Sequence, residues 1–205
     1  MITLSHYSRI KDNYCISYFG PCEDYIVQLR LLRPFIEESL PGLRVYIACK
    51  DQSVHWLKDC DRIIKLSEIK IKRTDVAYTL ELSFDGKYHP IQKLMDNINI
   101  KNYVIKNHCN EERTVKCVIL TKGEFPTKSL SQHQIDVLAD KVEKDGYEVY
   151  IDKPVEDSGL VIGVEHPGLF HAASLGVNAI LVSTGVGANL FKNMFPHLSV
   201  IPATS

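Results

Sequence analysis

Short runs of consecutive apolar residues alternate along this chain with longer stretches in which apolar residues return every three or four positions. The first pattern is that of strands buried on both faces, the second that of amphipathic helices. YCISYF, residues 14–19, reads as a strand, GPCED as a turn, and YIVQLRLLRPFIEESL as a helix with Ile26, Leu29, Leu32 and Phe35 or Ile36 on one face. Pro34 is expected to bend or interrupt that helix, because it has no amide proton for an interior position. Strands follow at 43–49 and 62–66 with a short helix at 53–60 between them. Then come a strand at 76–84, a helix at 89–98 whose proline falls in the first turn, and a strand at 102–107.

Residues 108–114, HCNEERT, are polar and aperiodic and mark a linker, beyond which a fresh series starts. KCVILT, 116–121, is a strand, 123–131 a loop, 132–146 a helix ended by Gly146, and YEVYI, 147–151, a strand. The next strand stops at Gly163, and a polar turn holds Glu165, His166, Pro167 and Gly168. A small-residue helix at 169–175 and a strand at 179–182 complete a βαβ unit. Two such series, of about 100 residues each, predict the α/β class. The expected architecture is two small Rossmann-like lobes, 1–110 and 111–205, with mostly parallel sheets and a cleft between them. The turn after Gly163 would then lie where open sheets bind phosphorylated ligands, since backbone N–H groups and the helix dipole face the ligand there.

Composition narrows the function classes. The 205 residues are 45% hydrophobic and 24% charged, which is ordinary for a globular chain and argues against disorder. With 24 basic against 25 acidic residues no broad basic face is forced, so nucleic acid is not an expected partner. The six cysteines contain no C-x-x-C and no paired Cys/His spacing, which leaves no metal site to expect. They read as reduced thiols, and the amino-terminal residues lack a signal peptide's apolar core, so a cytoplasmic protein is expected. No apolar run approaches the roughly 18 residues that span a bilayer, and membrane insertion is not expected. G-x-S-x-G and Walker-A strings are absent. The turn TGVGAN follows a strand and opens a helix, which makes Thr184, Gly185 and Gly187 candidate phosphate contacts. Leu190 at the third glycine position removes a dinucleotide fingerprint.

Three segments, in order, are GPCEDYIVQLRLLRPFIEESLPGLRVYIAC, CVILTKGEFPTKSLSQHQIDVLADKVEKDGYEVYI and GVEHPGLFHAASLGVNAILV. They resemble the opening turn and helix, the start of the C-terminal lobe, and the Asp-Ser-Gly-x-x-His-x-Ala-Ala-x-x-Gly segment of the heptosyltransferase-like glycosyltransferases of the GT-B fold. Together they cover about half of the chain in that family's order.

The resemblance implies a role for each matching residue. Asp24 corresponds to the catalytic carboxylate that takes the proton of the attacking acceptor hydroxyl, with Glu23 as its neighbour; a helix dipole would keep either ionised. Lys128 corresponds to a lysine on the donor diphosphate, where a fixed cation stabilises the charge that develops on the leaving phosphate, and Thr127, Ser129 and Ser131 would add hydroxyl donors. Gly168 and His171 match the family's glycine and histidine, and Ala172, Ala173 and Gly176 its small-residue helix. The chain departs from the pattern at the Asp-Ser pair, which falls on His166 and Pro167, leaving Glu165 as the carboxylate one place early; His166 would meet a phosphate when protonated. Bland readings stand beside these: Asp24 as a helix cap, Lys128 as a surface lysine, His171 as packing.

The implied function is transfer of a sugar from a nucleotide-sugar donor to an unidentified acceptor by an inverting single displacement, without metal or cofactor. A non-catalytic nucleotide-binding or assembly module on the same scaffold is the alternative. A nucleotide-binding hydrolase or epimerase, which Glu165 would suit, is a third. None of the motifs speaks to oligomeric state.

Overall fold

The computed structural model describes residues 3–6, 14–18, 25–39, 44–49, 63–65, 78–81, 89–106, 114–123, 129–183 and 187–203. The chain divides into two compact units, Met1–Tyr103 and Val104–Ser205. The predicted helix at 53–60 and most of the predicted linker lie outside the described residues.

The first unit holds β1 (Thr3–His6), β2 (Tyr14–Tyr18), α1 (Ile26–Ser39), β3 (Arg44–Cys49), β4 (Ile63–Lys65), β5 (Tyr78–Glu81) and α2 (Pro90–Asn97). Its sheet has the order β1-β5-β2-β3-β4. All pairings are parallel except β1 against β5, which adds an antiparallel edge. The hydrophobic stripe of α1 is buried as its spacing requires, at Ile26, Leu29, Leu32 and Ile36. The helix runs on through Pro34 to Ser39, so the expected interruption does not occur. Near its end Glu37 Oε1 accepts the Val45 N–H at 2.7 Å and ties α1 to β3. The expected strand at 102–107 is not formed: 101–106 are irregular. Tyr103 is instead buried, donating its hydroxyl to Gln92 Oε1 at 2.7 Å, while Val104 is exposed.

The second unit holds β6 (Lys116–Leu120), α3 (Gln132–Lys144), β7 (Glu148–Ile151), β8 (Leu160–Gly163), α4 (Pro167–Ser174), β9 (Asn178–Ser183), α5 (Ala188–Met194) and β10 (Ser199–Pro202). Its sheet, β10-β9-β8-β6-β7, is parallel throughout. Four consecutive buried residues in β6 and four in β8 fit a sheet covered on both faces. Alternation sends Cys117 and Ile119 to one face, where they share a core with Leu160, Ile162 and the α3 residues Ile135, Leu138, Ala139 and Val142. Leu120 points to the other face, within reach of Gly168 at the start of α4. There the rings of Phe170, Phe191 and Phe195 pack α4 against α5, with Phe191 5.4 Å from each of the other two. No described helix is long and apolar enough to cross a membrane.

Candidate functional site

The second sheet reverses direction at β6. The chain steps from β6 outward to β7, then returns to β8 on the opposite side and continues to β9 and β10. Such a switch point opens a crevice at the carboxyl ends of the two strands that flank it, which is where open α/β sheets take ligands. The register Leu120↔Gly163 sets the ends of β6 and β8 level, and the Val164 N–H donates to the Leu120 carbonyl at 3.3 Å.

On the β6 side, Thr121 is held in a two-pronged clamp. Its N–H donates to Asp152 Oδ1 at 2.7 Å and its hydroxyl to Asp152 Oδ2 at 2.6 Å. Asp152 follows β7 in the left-handed region, at φ +48, which aspartate tolerates better than most residues. The Thr121 carbonyl then accepts the Leu130 N–H at 2.8 Å and closes the loop that contains Thr127, Lys128 and Ser129. Ser129 is exposed beside this closure; Thr127 and Lys128 lie outside the described residues. Ser131, expected as a further hydroxyl donor, is committed to capping α3. Its Oγ accepts the Gln134 N–H at 3.3 Å, and Gln134 Oε1 accepts the Ser131 N–H at 2.9 Å.

On the β8 side, Glu165 and His166 leave the strand end at the switch point. Glu165 is only 5% exposed. His166 is the N-cap of α4: its Nδ1 accepts the Gly168 N–H at 3.0 Å. An Nδ1 that accepts carries no proton, so the ring proton sits on Nε2. The same device starts α2, where His89 precedes Pro90 and its Nδ1 accepts the Ile91 N–H at 3.2 Å. Histidine is not among the preferred capping residues, and only its recurrence ahead of proline hints at the role.

This cap changes the expectation of free amides at the start of α4. Pro167 has no N–H, that of Gly168 goes to the imidazole, and those of Leu169 and Phe170 go to the His166 carbonyl at 3.0 and 3.5 Å. The first-turn donors expected to face a phosphate are therefore occupied within the chain. Gly168 is small for a nearer reason, since a Cβ there would stand 3.0 Å from the His166 Nδ1. His171 is half-buried on α4, and its carbonyl accepts from Leu175 N–H and the Ser174 hydroxyl.

Gly187, the N-cap of α5, meets Glu165. A Cβ at Gly187 would lie 1.9 Å from Glu165 Oε1 and 2.1 Å from its Cδ, so the carboxylate fills the space a side chain would take. Two residues selected on separate sequence grounds are thus in contact, joined by the parallel pairing of β8 with β9. The absence of a side chain at Gly187 leaves the space that Glu165 occupies. Thr184 and Gly185 lie outside the described residues, as does Asp24, which directly precedes Tyr25 and α1 in the sequence. Sequence reasoning missed the Thr121–Asp152 clamp and passed over Gln28, which is fully buried in the first turn of α1. Among the described residues no group of three or more His, Cys, Asp or Glu converges to hold a metal.

No protein-family model matches the chain, and no match is found among curated protein sequences. Solved structures do match. The iron-containing dodecameric glycosyltransferase TibC from enterotoxigenic E. coli superposes with a TM-score of 0.58 at 12% identity, over 85% of this chain and 59% of that one. A family 9 glycosyltransferase from Veillonella parvula gives 0.56 at 10% identity, over 98% and 90% of the two chains. The E. coli heptosyltransferase WaaC with ADP gives 0.50 at 10% identity, over 94% and 91%. This chain spans 59% of the length of TibC. Its mostly parallel α/β fold is that of the heptosyltransferases and family 9 glycosyltransferases, as the sequence resemblance implies.

Proposed function

We propose that this protein is a glycosyltransferase that moves a sugar from a nucleoside-diphosphate donor to a hydroxyl of its acceptor with inversion. The observation that carries the reading is the switch point of the second sheet. Two polar side chains, Glu165 and His166, leave β8 there beside the clamped loop after β6, and the fold is shared with known sugar transferases. TibC binds ADP-D-β-D-heptose and WaaC binds ADP, which makes an adenosine diphosphate sugar the first donor to test.

In this reading the unit that ends at Tyr103 receives the acceptor and the unit that begins at Val104 the donor. Lys128, with Thr127 and Ser129, meets the diphosphate from the loop that Thr121 and Leu130 close. Glu165 accepts hydroxyls of the ribose or the donor sugar, and His166 donates through Nε2 to an oxygen of the donor. Thr184 and Gly185 complete the donor contacts; Gly187 and Gly168 hold Glu165 and His166 in position, and His171 backs them on α4. The acceptor oxygen forms a bond to the anomeric carbon as the bond to the diphosphate oxygen breaks. The electron pair leaves with the nucleoside diphosphate, and the hydroxyl proton passes to Asp24. A carboxylate ahead of a helix is a weak base, so its contribution is orientation more than proton affinity. Lys128 stabilises charge that is larger in the transition state than in the donor, which is the condition for a gain in rate.

Isothermal titration with ADP, UDP, GDP and their hexose and heptose conjugates tests the reading directly. Binding of a nucleoside diphosphate that weakens in Lys128→Ala is the expected result, and Asp24→Asn should abolish transfer with donor affinity kept. Silence across the panel would overturn the proposal.

A further inference from the structure

The two edges of the second sheet are built differently. In β10 the Ala203 N–H bonds to the Ser183 carbonyl at 2.9 Å, so alternation along the strand turns the main chain of Val200 and Pro202 away from β9. Pro202 has no N–H to offer there, which blunts that edge against further pairing. In β7 the Glu148 N–H bonds to the Val115 carbonyl at 2.7 Å and the Asp152 N–H to that of Ile119 at 2.9 Å. Val149 and Ile151 between them therefore point their N–H and C=O groups away from β6, on a side where no described strand pairs with β7. Neither proline nor lysine falls within Glu148–Ile151 to protect this edge.

The same strand is the bare one of its sheet. Strands of a parallel sheet are ordinarily covered on both faces, as β6 and β8 are. The connection from β7 to β8, residues 152–159, contains no helix, whereas every other connection within this sheet does. Tyr150 is 40% exposed and Ile151 39%, and Val115, whose carbonyl holds the start of β7, is 58% exposed.

We infer that β7 is a dimerisation edge, which pairs antiparallel with β7 of a second copy of this chain about a two-fold axis at Val149. A second copy is the fitting partner because the edge complements itself in a register that its outward groups permit. Only outward-pointing residues exchange hydrogen bonds across such an edge, so Val149 faces the partner's Val149 and Tyr147 faces the partner's Ile151. The Tyr147 N–H is already given to the Val142 carbonyl at 3.2 Å, which leaves two bonds between the Val149 residues and one from each Ile151 N–H to the partner's Tyr147 carbonyl. Tyr147, Val149 and Ile151 then form an apolar row on one face of the join. On the other face Glu148 stands opposite the partner's Tyr150, a pairing these side chains already make within one chain, where the Tyr150 hydroxyl donates to Glu148 Oε2 at 3.1 Å. Beyond the strand Asp145 meets the partner's Lys153, both exposed and opposite in charge. Centring the axis on Tyr150 instead would set Glu148 against the partner's Asp152, carboxylate against carboxylate. The contact is small, so the dimer is a weak one, dissociating at about 10–100 µM.

Sedimentation equilibrium of the full chain from about 5 to 500 µM should follow a monomer–dimer equilibrium, rising toward twice the 23.3 kDa of one chain. Hydrogen exchange at the Val149 and Ile151 amides should slow several-fold over that range, while that of Glu148 and Asp152, already bonded to β6, stays unchanged. Ile151→Lys places a charge on the apolar row and should abolish the dimer at these concentrations, with the circular dichroism of the monomer kept. Lys153→Asp sets like charges across the axis twice and should weaken the dimer about fivefold, and adding Asp145→Lys should restore it. If Ile151→Lys does not fold, this exchange of charges at two exposed positions decides alone. A chain that stays monomeric throughout, or a dimer indifferent to Lys153→Asp, would overturn the inference, and so would a double variant that fails to pair again.

Discussion

Residue identity at the switch point is set by neighbours, and three substitutions read this out. His166→Ala removes the cap of α4 and should cost about 1 kcal/mol, whereas His166→Asp, whose carboxylate can take the Gly168 N–H, should recover it; denaturant unfolding separates the two. Gly187→Ala forces a methyl into the Glu165 carboxylate and should cost about 1–3 kcal/mol while displacing the side chain, so nucleotide affinity should fall with stability. Cys117 is buried, and burial pushes its thiol up to about 12 from 9.0. Its folded pKa is the raised one, so its stabilising effect is complete below 9.0 and is lost as pH rises toward about 12. The native thiol should therefore resist alkylation at pH 8 and react once denaturant is added.

Elements differ in how far the sequence exposes them. The strands β6 and β8 are legible because parallel strands covered on both faces leave unbroken apolar runs. Helix α3 is legible from its Ser131 cap and Gly146 stop, and Gly146 does take a positive φ of 89°. The strand expected at 102–107 fails because its apolar residues have separate destinations, Tyr103 inward to Gln92 and Val104 to solvent. The edge strands β1 and β10 are only four residues each, and β1 pairs with β5, more than 70 residues on, so no local pattern announces them. Helix α4 begins at Pro167, earlier than the expected 169, because a histidine cap is not a usual start signal. The candidate residues Glu165, His166 and Gly187 were visible one at a time. Their contact depends on the pairing of β8 with β9, and the Thr121–Asp152 clamp on the pairing of β6 with β7, which no spacing encodes. That clamp gives a prediction for the loop it anchors: Asp152→Ala should cost about 1–3 kcal/mol and increase hydrogen exchange at Thr121, with Asp152→Asn milder because asparagine keeps a side-chain acceptor and tolerates the left-handed backbone.

For the whole molecule, the decisive property is that each unit completes its own sheet. All five strands of the second sheet lie between Lys116 and Pro202, so residues 104–205 expressed alone should unfold in one cooperative step, and ADP should raise its melting temperature if the donor reading holds. A fragment that stays unfolded would mean that its core depends on the other half.

The division at Tyr103 also isolates one chromophore. Its single tryptophan, Trp56, belongs to the first unit, and the packed phenylalanine trio to the second. Indole emission is therefore a built-in reporter of the first half, and comparing it during a melt with the far-ultraviolet dichroism of the whole chain reveals, with no label attached, whether the halves come apart together or in turn.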